Sequence, residues 1–519
     1  MYQGETQGID CSKGGFSHDP NIDAIPPFMM IEPSRNINIH ENGWGKRGGT
    51  AKINGTAVSG SPKILGIYDF TLQNGTQFIM LATSDGKLYK NATTTIKTGL
   101  TLNVLAHMMS YENEFYFCNG ADTPQTWNGV VAGTSNITNP SADWTGSNQP
   151  KQFIKHTKGN SERLWAVGFT DGSVYASASG NGKEFVTGAL KIVIDTGDGY
   201  GIVGGVEFQN KLLLFGKRQA YFIDDSDATP ANWSYYKASW EGGATNFRCI
   251  IKTPNDVLVV EENVNIYSIM AMQETGDYKA ASVSKPAFID RWIREFIKVS
   301  DIANFHAVHD SVRRCVLFFM TSNGASTADI ALPYFYDRPA AVAWGAPMTA
   351  ATGAGVACGY HALSACEVRV SAGVYNVYTG DASGFYWKLE TINANDDSAA
   401  FNGAIRTPYW GLNAPFANKH FWRGRVVTQV KGDFYLQAKT FVDGVEITEQ
   451  TINLGGIGAE LDSFILDTDV LAAEELIDTS FQVGKYGKRI QHELYNNQVN
   501  ESFFISQLME HYRMGGVRV

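Results

Sequence analysis

Leu212-Leu213-Leu214-Phe215 runs through a polar turn, Lys217-Arg218-Gln219, into Tyr221-Phe222-Ile223, and the same unit returns 46 residues later. The second copy is Leu258-Val259-Val260, Glu262-Asn263 and Tyr267-Ser268-Ile269, so that Tyr221 falls on Tyr267 and Ile223 on Ile269. An apolar run, a polar turn and a second apolar run is the pattern of a β-hairpin. A hairpin cannot bury its apolar face alone, so a recurring one calls for neighbours stacked against it, and this spacing is near that of a four-stranded propeller blade.

Working outward, similar hairpins appear on both sides. Phe78–Leu81 turns at Ser84-Asp85-Gly86 into Lys87-Leu88-Tyr89, Phe115–Cys118 turns at Asn119-Gly120 toward Thr126-Trp127, and Leu164–Val167 turns at Asp171-Gly172 into Ser173-Val174-Tyr175. Downstream, Val316–Phe319 faces Leu332–Tyr336, and Val374–Tyr378 returns as Phe385-Tyr386-Trp387. Asp-Gly and Asn-Gly suit tight hairpins because they tolerate positive φ. An aromatic closes each unit, at Tyr89, Trp127, Tyr175, Tyr221, Tyr267, Phe335 and Tyr386. The expected body is a β-propeller of six to eight blades over residues 45–392.

The widest interval, 68 residues between Tyr267 and Phe335, contains Phe288, Ile289, Trp292, Ile293, Phe296 and Ile297 at helical spacing. It predicts one inserted helix between Lys285 and Ser300, with Ser284 as N-cap and Pro286 in the first turn. Residues 1–44 read as an N-terminal arm lying on the surface or on a neighbouring subunit, ending in a strand at Asn36–His40. Residues 393–402 read as a polar linker. The rest, to 519, reads as an antiparallel β-sandwich-like domain, with strands at 425–430, 434–438, 489–494 and 503–508, a turn at 431–433, and runs at 441–442 and 445–447 flanking a turn at Asp443-Gly444. The fold class is all-β.

The 519 residues include 53 glycines, 29 Phe, 23 Tyr and 11 Trp, with 18% charged residues, a composition suited to turn-rich β structure. The net charge of −10 argues against a basic surface that grips phosphates. Six cysteines with no C-x-x-C pair read as reduced, partly buried thiols. The first residues lack the apolar segment of a signal peptide, and no run approaches the roughly 20 apolar residues of a membrane span.

Gly199-Tyr-Gly201-Ile-Val-Gly204 spells G-x-G-x-x-G, but β-like residues follow it where a dinucleotide fold places a helix, so it reads as a structural loop. Asp195 and Asp198 lack the alternating oxygen ligands of a calcium loop. His306 and His309 sit on one strand at a spacing that puts them on opposite faces. The turns at 83–89 and 170–175 resemble the Asp-box turns of sialidase-type propellers. That chemistry would need arginines converging on the axis, and nothing in the order of Arg163, Arg218, Arg248, Arg313 and Arg314 brings them together. Arg291, Arg294 and Lys298 read as a solvated helix face. No catalytic, cofactor-binding or metal-ligating residue is assigned, and the chain is read as a non-enzyme.

Four stretches resemble the tail nozzle or hub proteins of short-tailed bacteriophages, also called tail tubular or tail-stabilisation proteins. They are Asn36–Thr50, which carries Gly43-Trp44-Gly45-Lys46-Arg47-Gly48-Gly49-Thr50, Gly197–Gly204 with Leu212–Phe215 and Tyr221, His306–Phe319, and Gly487–Gln491 with Phe503–Ile505 and Gly515–Arg518. The sequence departs from the family pattern at Gly48-Gly49, where a proline often follows the arginine. The resemblance implies a propeller with an added β domain, assembled as a homohexameric ring below the portal and adaptor proteins of the virion tail. It implies assembly in the host cytoplasm, contacts with tail fibres or spikes and with a needle or plug, and a conduit through which genome DNA passes without specific binding. A receptor- or glycan-binding propeller and a propeller glycosidase of sialidase type are the alternatives the residues leave open.

Overall fold

The computed structural model describes residues 4–158, 161–227, 229–271, 278–350, 358–429, 434–455 and 476–515. Seven four-stranded antiparallel sheets form the blades of a propeller. Their innermost strands are Ile64–Thr71, His107–Tyr111, Gln152–Lys158, Gly204–Phe208, Ile250–Lys252, His306–Asp310 and Ser364–Ser371. Each lies against the next and the last returns to the first, which closes the ring. The seven aromatics picked out by sequence occupy the third strand of successive blades, and all are buried. Apolar clusters form between blades. Phe70, Met108 and Phe115 join blades one and two, Trp165 and Leu214 join three and four, and Phe215, Tyr267 and Ile269 join four and five. This is the stacking that a lone hairpin requires.

The two copies of the opening stretch are the second and third strands of blades four and five. In blade four Leu214 pairs with Tyr221, whereas in blade five Val259 pairs with Tyr267, so the longer turn of the second copy moves its partner strand by one residue.

Blade seven is completed by the chain's beginning. Gly49–Lys52 pairs with Tyr386–Thr391 as its outermost strand. A circular sheet array has two loose ends, and this pairing leaves neither exposed.

The second domain is a β-sandwich assembled from both ends of the chain. Its four-stranded sheet holds Gly403–Arg406, Ile490–Asn496, Tyr435–Val442 and Val445–Asn453. Its six-stranded sheet centres on Phe504–Met514, which pairs with Lys419–Gln429 on one side. On the other side it pairs with Glu5–Asp10 and, through Trp44 and Gly45, with Gly43–Lys46. Apolar residues of both sheets, among them Leu436, Ile490, Val426 and Leu508, form one core.

Three expectations are corrected here. The N-terminal arm is not laid on the surface: Ile9, Cys11, Phe16 and Met30 are core residues, and Glu5–Asp10 and Gly43–Lys46 both pair with the strand Phe504–Met514. Residues 393–402 are not a free linker, because Ala394, Asp396 and Phe401 are buried between the domains. The inserted helix spans only Ile289–Phe296. Ser284 cannot cap it, since its hydroxyl accepts from the Ile266 amide, and Phe288 breaks the run by taking φ 57°. The helix packs on the N-terminal segment: Trp292 meets Phe16 edge-on at 6.1 Å and donates its indole N–H to Glu32 at 3.0 Å. The turn expected at 431–433 lies outside the described residues.

Candidate functional site

Two places bring functional groups together, namely the seam between the domains and the propeller axis. The seam is built by Gly43–Lys52, which leaves the sandwich as one strand and enters blade seven as another. Gly48 and Gly49 lie where the backbone squeezes past blade seven, and a Cβ on Gly49 would overlap the carbonyl oxygens of Asn393 and Asn395. Between the strands Lys46 and Arg47, 6% and 0% exposed, turn inward in opposite directions.

Lys46 points into the sandwich. Its ammonium donates to the side-chain oxygen of Asn496 at 2.9 Å and to the carbonyls of Glu501 at 3.0 Å and Gln498 at 3.3 Å. Burial, with Arg47 adjacent, pushes its pKa down to about 7. Arg47 forms a two-pronged ion pair with Asp396 at 2.7 and 3.0 Å and donates to Asn36 Oδ1, the Thr349 carbonyl and the Gly48 carbonyl. Its plane stacks on Phe401 at 3.7 Å and on Tyr360 at 4.5 Å. Burial opposes the charge, but Asp396 more than offsets this and holds the guanidinium above its ordinary value.

The network continues into blades six and seven. Tyr360 donates to Glu390, which also accepts from Asn38, the Gly48 amide and Arg313, and Arg313 is paired with Asp310 at 2.7 Å. Buried charges survive only when paired and hydrogen-bonded, and a bidentate guanidinium–carboxylate pair supplies both. Groups from the N-terminal segment, both last blades and the 393–402 stretch are thereby fixed as one unit.

At the axis, the face where the chain enters each innermost strand opens into a cavity of about 190 Å³ bordered by Lys63, Asn103, Arg248, Asn304 and Thr327. A second cavity of about 240 Å³ lies deeper, walled by Ile67, Met108, Ile251 and Ala307. Leu65 and Arg248 border both. His306 faces the deeper space with its ring stacked on Phe319 at 4.8 Å. Burial and the Arg248 charge push its pKa well down. His107, also on this wall, is brought by burial to about 4.

The sequence candidates fall as follows. Gly199 and Gly201 take φ 75° and 65° in a loop that leads into a strand, and Asp195 and Asp198 accept amides of that same loop. His309 meets the Tyr336 hydroxyl at 3.0 Å, on the opposite face from His306. Arg163 bonds carbonyls within blade three, Arg218 is exposed in blade four, Arg313 belongs to the seam and Arg314 approaches Asp337, so only Arg248 reaches the axis. Arg294 pairs with Asp290, and Arg291 and Lys298 are exposed. The Asp-Gly turns at 85–86 and 171–172 serve their hairpins, with both glycines at positive φ. Asp396, Glu390 and Tyr360 were missed by sequence reasoning, because their partners lie tens to hundreds of residues away and no local pattern marks them.

Seven blades closed by an N-terminal strand, fused to a sandwich made of both chain ends, define the class as an all-β propeller–sandwich protein. No family model and no curated protein matches the chain. Among solved structures it is similar to the extracellular domain of a hybrid two-component system of B. thetaiotaomicron, at 11% identity and TM-score 0.41, covering 72% of this chain and 43% of that one. It is similar to the computationally designed Ika8 protein at 8% identity and TM-score 0.35, covering 64% and 98%. The N-terminal domain of Nup159 aligns at 9% identity and TM-score 0.35, covering 66% and 94%. The chain thus spans less than half the length of the first of these. At such scores the functional reading rests on the chain's own residues.

Proposed function

We propose that this chain is a structural protein of a bacteriophage virion, the tail nozzle of a short-tailed phage, six copies of which form a ring-shaped conduit for genome DNA below the portal and adaptor. The observation that carries the reading is the seam. The Gly43–Thr50 stretch, part of one of the four on which the family resemblance rests, is the segment that welds propeller to sandwich through Lys46 and Arg47. A part that transmits force between neighbouring protein layers needs its domains fixed to each other.

In this reading the DNA path lies between copies and not through the blades. The axial cavities hold only about 190 and 240 Å³, as spheres roughly 7–8 Å across, whereas the major groove of a duplex is by itself about 12 Å wide. A ring needs a head-to-tail interface whose rotation closes. Six copies at −10 each carry −60, and a lumen lined by acidic or neutral groups would let phosphate slide without the counterion release that drives binding. Tail fibres or spikes and a plug would meet the same ring from outside and below.

The test is electron microscopy of the purified chain mixed with its cognate portal–adaptor complex. A six-fold tube seated on the adaptor is expected. A chain that stays apart from the adaptor, or that hydrolyses or saturably binds glycans as a monomer, overturns the proposal.

A further inference from the structure

The propeller axis carries a positive charge that the protein does not neutralise. The Arg248 guanidinium is locked in place by two carbonyls, donating one N–H to Leu363 O at 2.7 Å and another to Asn304 O at 2.7 Å. Its backbone is fixed as well, since Asn246 accepts the Arg248 amide at 2.8 Å. A guanidinium has five N–H donors, so three remain, and the one on Nε is buried without a partner. Among the described residues no carboxylate pairs with Arg248 or with Lys63 across the rim. The one acid bordering the outer cavity, Asp301, is occupied by the Thr321 hydroxyl and the Asn304 amide. Beneath the guanidinium the wall mixes the apolar side chains of Ile67, Met108, Ile251 and Ala307 with polar ones, His107, Gln152 and His306 among them.

We propose that this axial cavity binds a small organic carboxylate, with its two oxygens on Arg248 and its apolar body against Ile67, Met108 and Ile251. A planar guanidinium matches the planar fork of a carboxylate in a two-point contact. Free inorganic phosphate would meet the same charge but gain nothing from the apolar wall beneath it. The volumes fall below the range typical of drug-sized sites, which limits the ligand to a few heavy atoms beyond its carboxyl. Lys63, exposed at the mouth, adds a second cation that raises the local concentration of anions without gripping them.

Benzoate is a suitable probe, with benzamide as its neutral isostere and inorganic phosphate as the competing anion, read by ligand-observed NMR on the full chain. Benzoate is expected to bind at least tenfold more tightly than either. Arg248→Gln is expected to abolish binding. Because Arg248 also ties two loops together, Lys63→Ala is the companion variant: it touches only the rim, should leave the melting curve unchanged, and should weaken benzoate several-fold. Failure of the folded wild-type chain to bind benzoate, equal binding of benzamide or phosphate, or full binding by both variants would each overturn the assignment.

Discussion

Arg47 and Asp396 stand 349 positions apart in the chain and meet as a bidentate ion pair from which water is wholly excluded. Around that pair the first strand of the propeller, the last blade and the sandwich are held in register. What it contributes is measured best by removing one partner.

Asp396→Asn leaves the Arg47 charge buried and uncompensated. The expected loss is about 3–5 kcal/mol, the range for breaking a buried pair. Removing the neighbouring Lys52–Asp397 bridge, whose side chains are 28% and 44% exposed, should cost only about 0–1 kcal/mol. Hydrogen exchange of the Gly49–Lys52 amides reads both, because local opening of the closing strand is what each variant would favour. Equal protection in the two variants would contradict the role given to the pair.

Backbone clearance is a second handle. Gly49→Ala pushes a methyl group into two carbonyl oxygens, whereas Gly55→Ala adds one where nothing lies within 4 Å. The first should displace the closing strand and lower thermal stability by more than about 1 kcal/mol, and the second should stay within about ±0.5 kcal/mol. Differential scanning calorimetry of the two proteins decides it.

The sandwich core holds His492 Nε2 3.3 Å from Glu510 Oε2, joining its two sheets, with the other ring nitrogen 3.2 Å from the Thr440 hydroxyl. Burial pushes Glu510 well above the usual carboxyl range and His492 down to about 3, which favours the neutral form of each. Because the folded pKa of Glu510 is raised, its contribution is fully present below the unfolded value near 4.5 and is lost as pH rises through the folded value. Glu510→Gln keeps the shape and a donor but cannot ionise. The variant should therefore be more stable than the wild type at pH 8, with the difference shrinking as pH falls toward 4.5. A difference that grows on acidification, in urea titrations at several pH values, would refute the neutral pair.

Tyr267 tests the aromatic that closes each blade. Its ring is buried between blades four and five and its hydroxyl donates to the Gly243 carbonyl at 3.1 Å. Tyr267→Phe removes the hydroxyl contacts to that carbonyl and to Trp240 and should cost about 1 kcal/mol. Tyr267→Ala opens a cavity and should cost about 3–5 kcal/mol. Near-equal midpoints for the two variants in guanidinium would show the ring to be loosely packed.

The propeller was legible because it is written locally. Each blade's second and third strands are adjacent in sequence, with Asp-Gly or Asn-Gly turns in the first three blades and a buried aromatic on every third strand. What escaped sequence reading depends on partners far away. Glu5–Asp10 has neither apolar alternation nor β-branched runs beyond Ile9, and it is a strand only because Gln507–Tyr512 lies beside it. Lys46, Arg47 and Asp396 have the composition of a loop, and their burial follows from one another and not from hydrophobicity. The helix was placed correctly by its period but given too much length, since nothing in its pattern reports that Phe288 takes a left-handed conformation. At the axis, Arg248 was noted among scattered arginines, but its lack of an acid partner is visible only once six blades surround it.

The strand Gly49–Lys52 has a consequence in time as well as in space. Its partner, Tyr386–Thr391, leaves the ribosome more than 300 residues later, and the partner of Trp44, Ile505, later still. At roughly 5–20 residues per second that is a wait of roughly 20–90 s. Blades one to six are made during that wait, while Gly49–Lys52 still lacks its partner strand. The propeller therefore becomes a closed body only once Tyr386–Thr391 has been made and Gly49–Lys52 has docked on it.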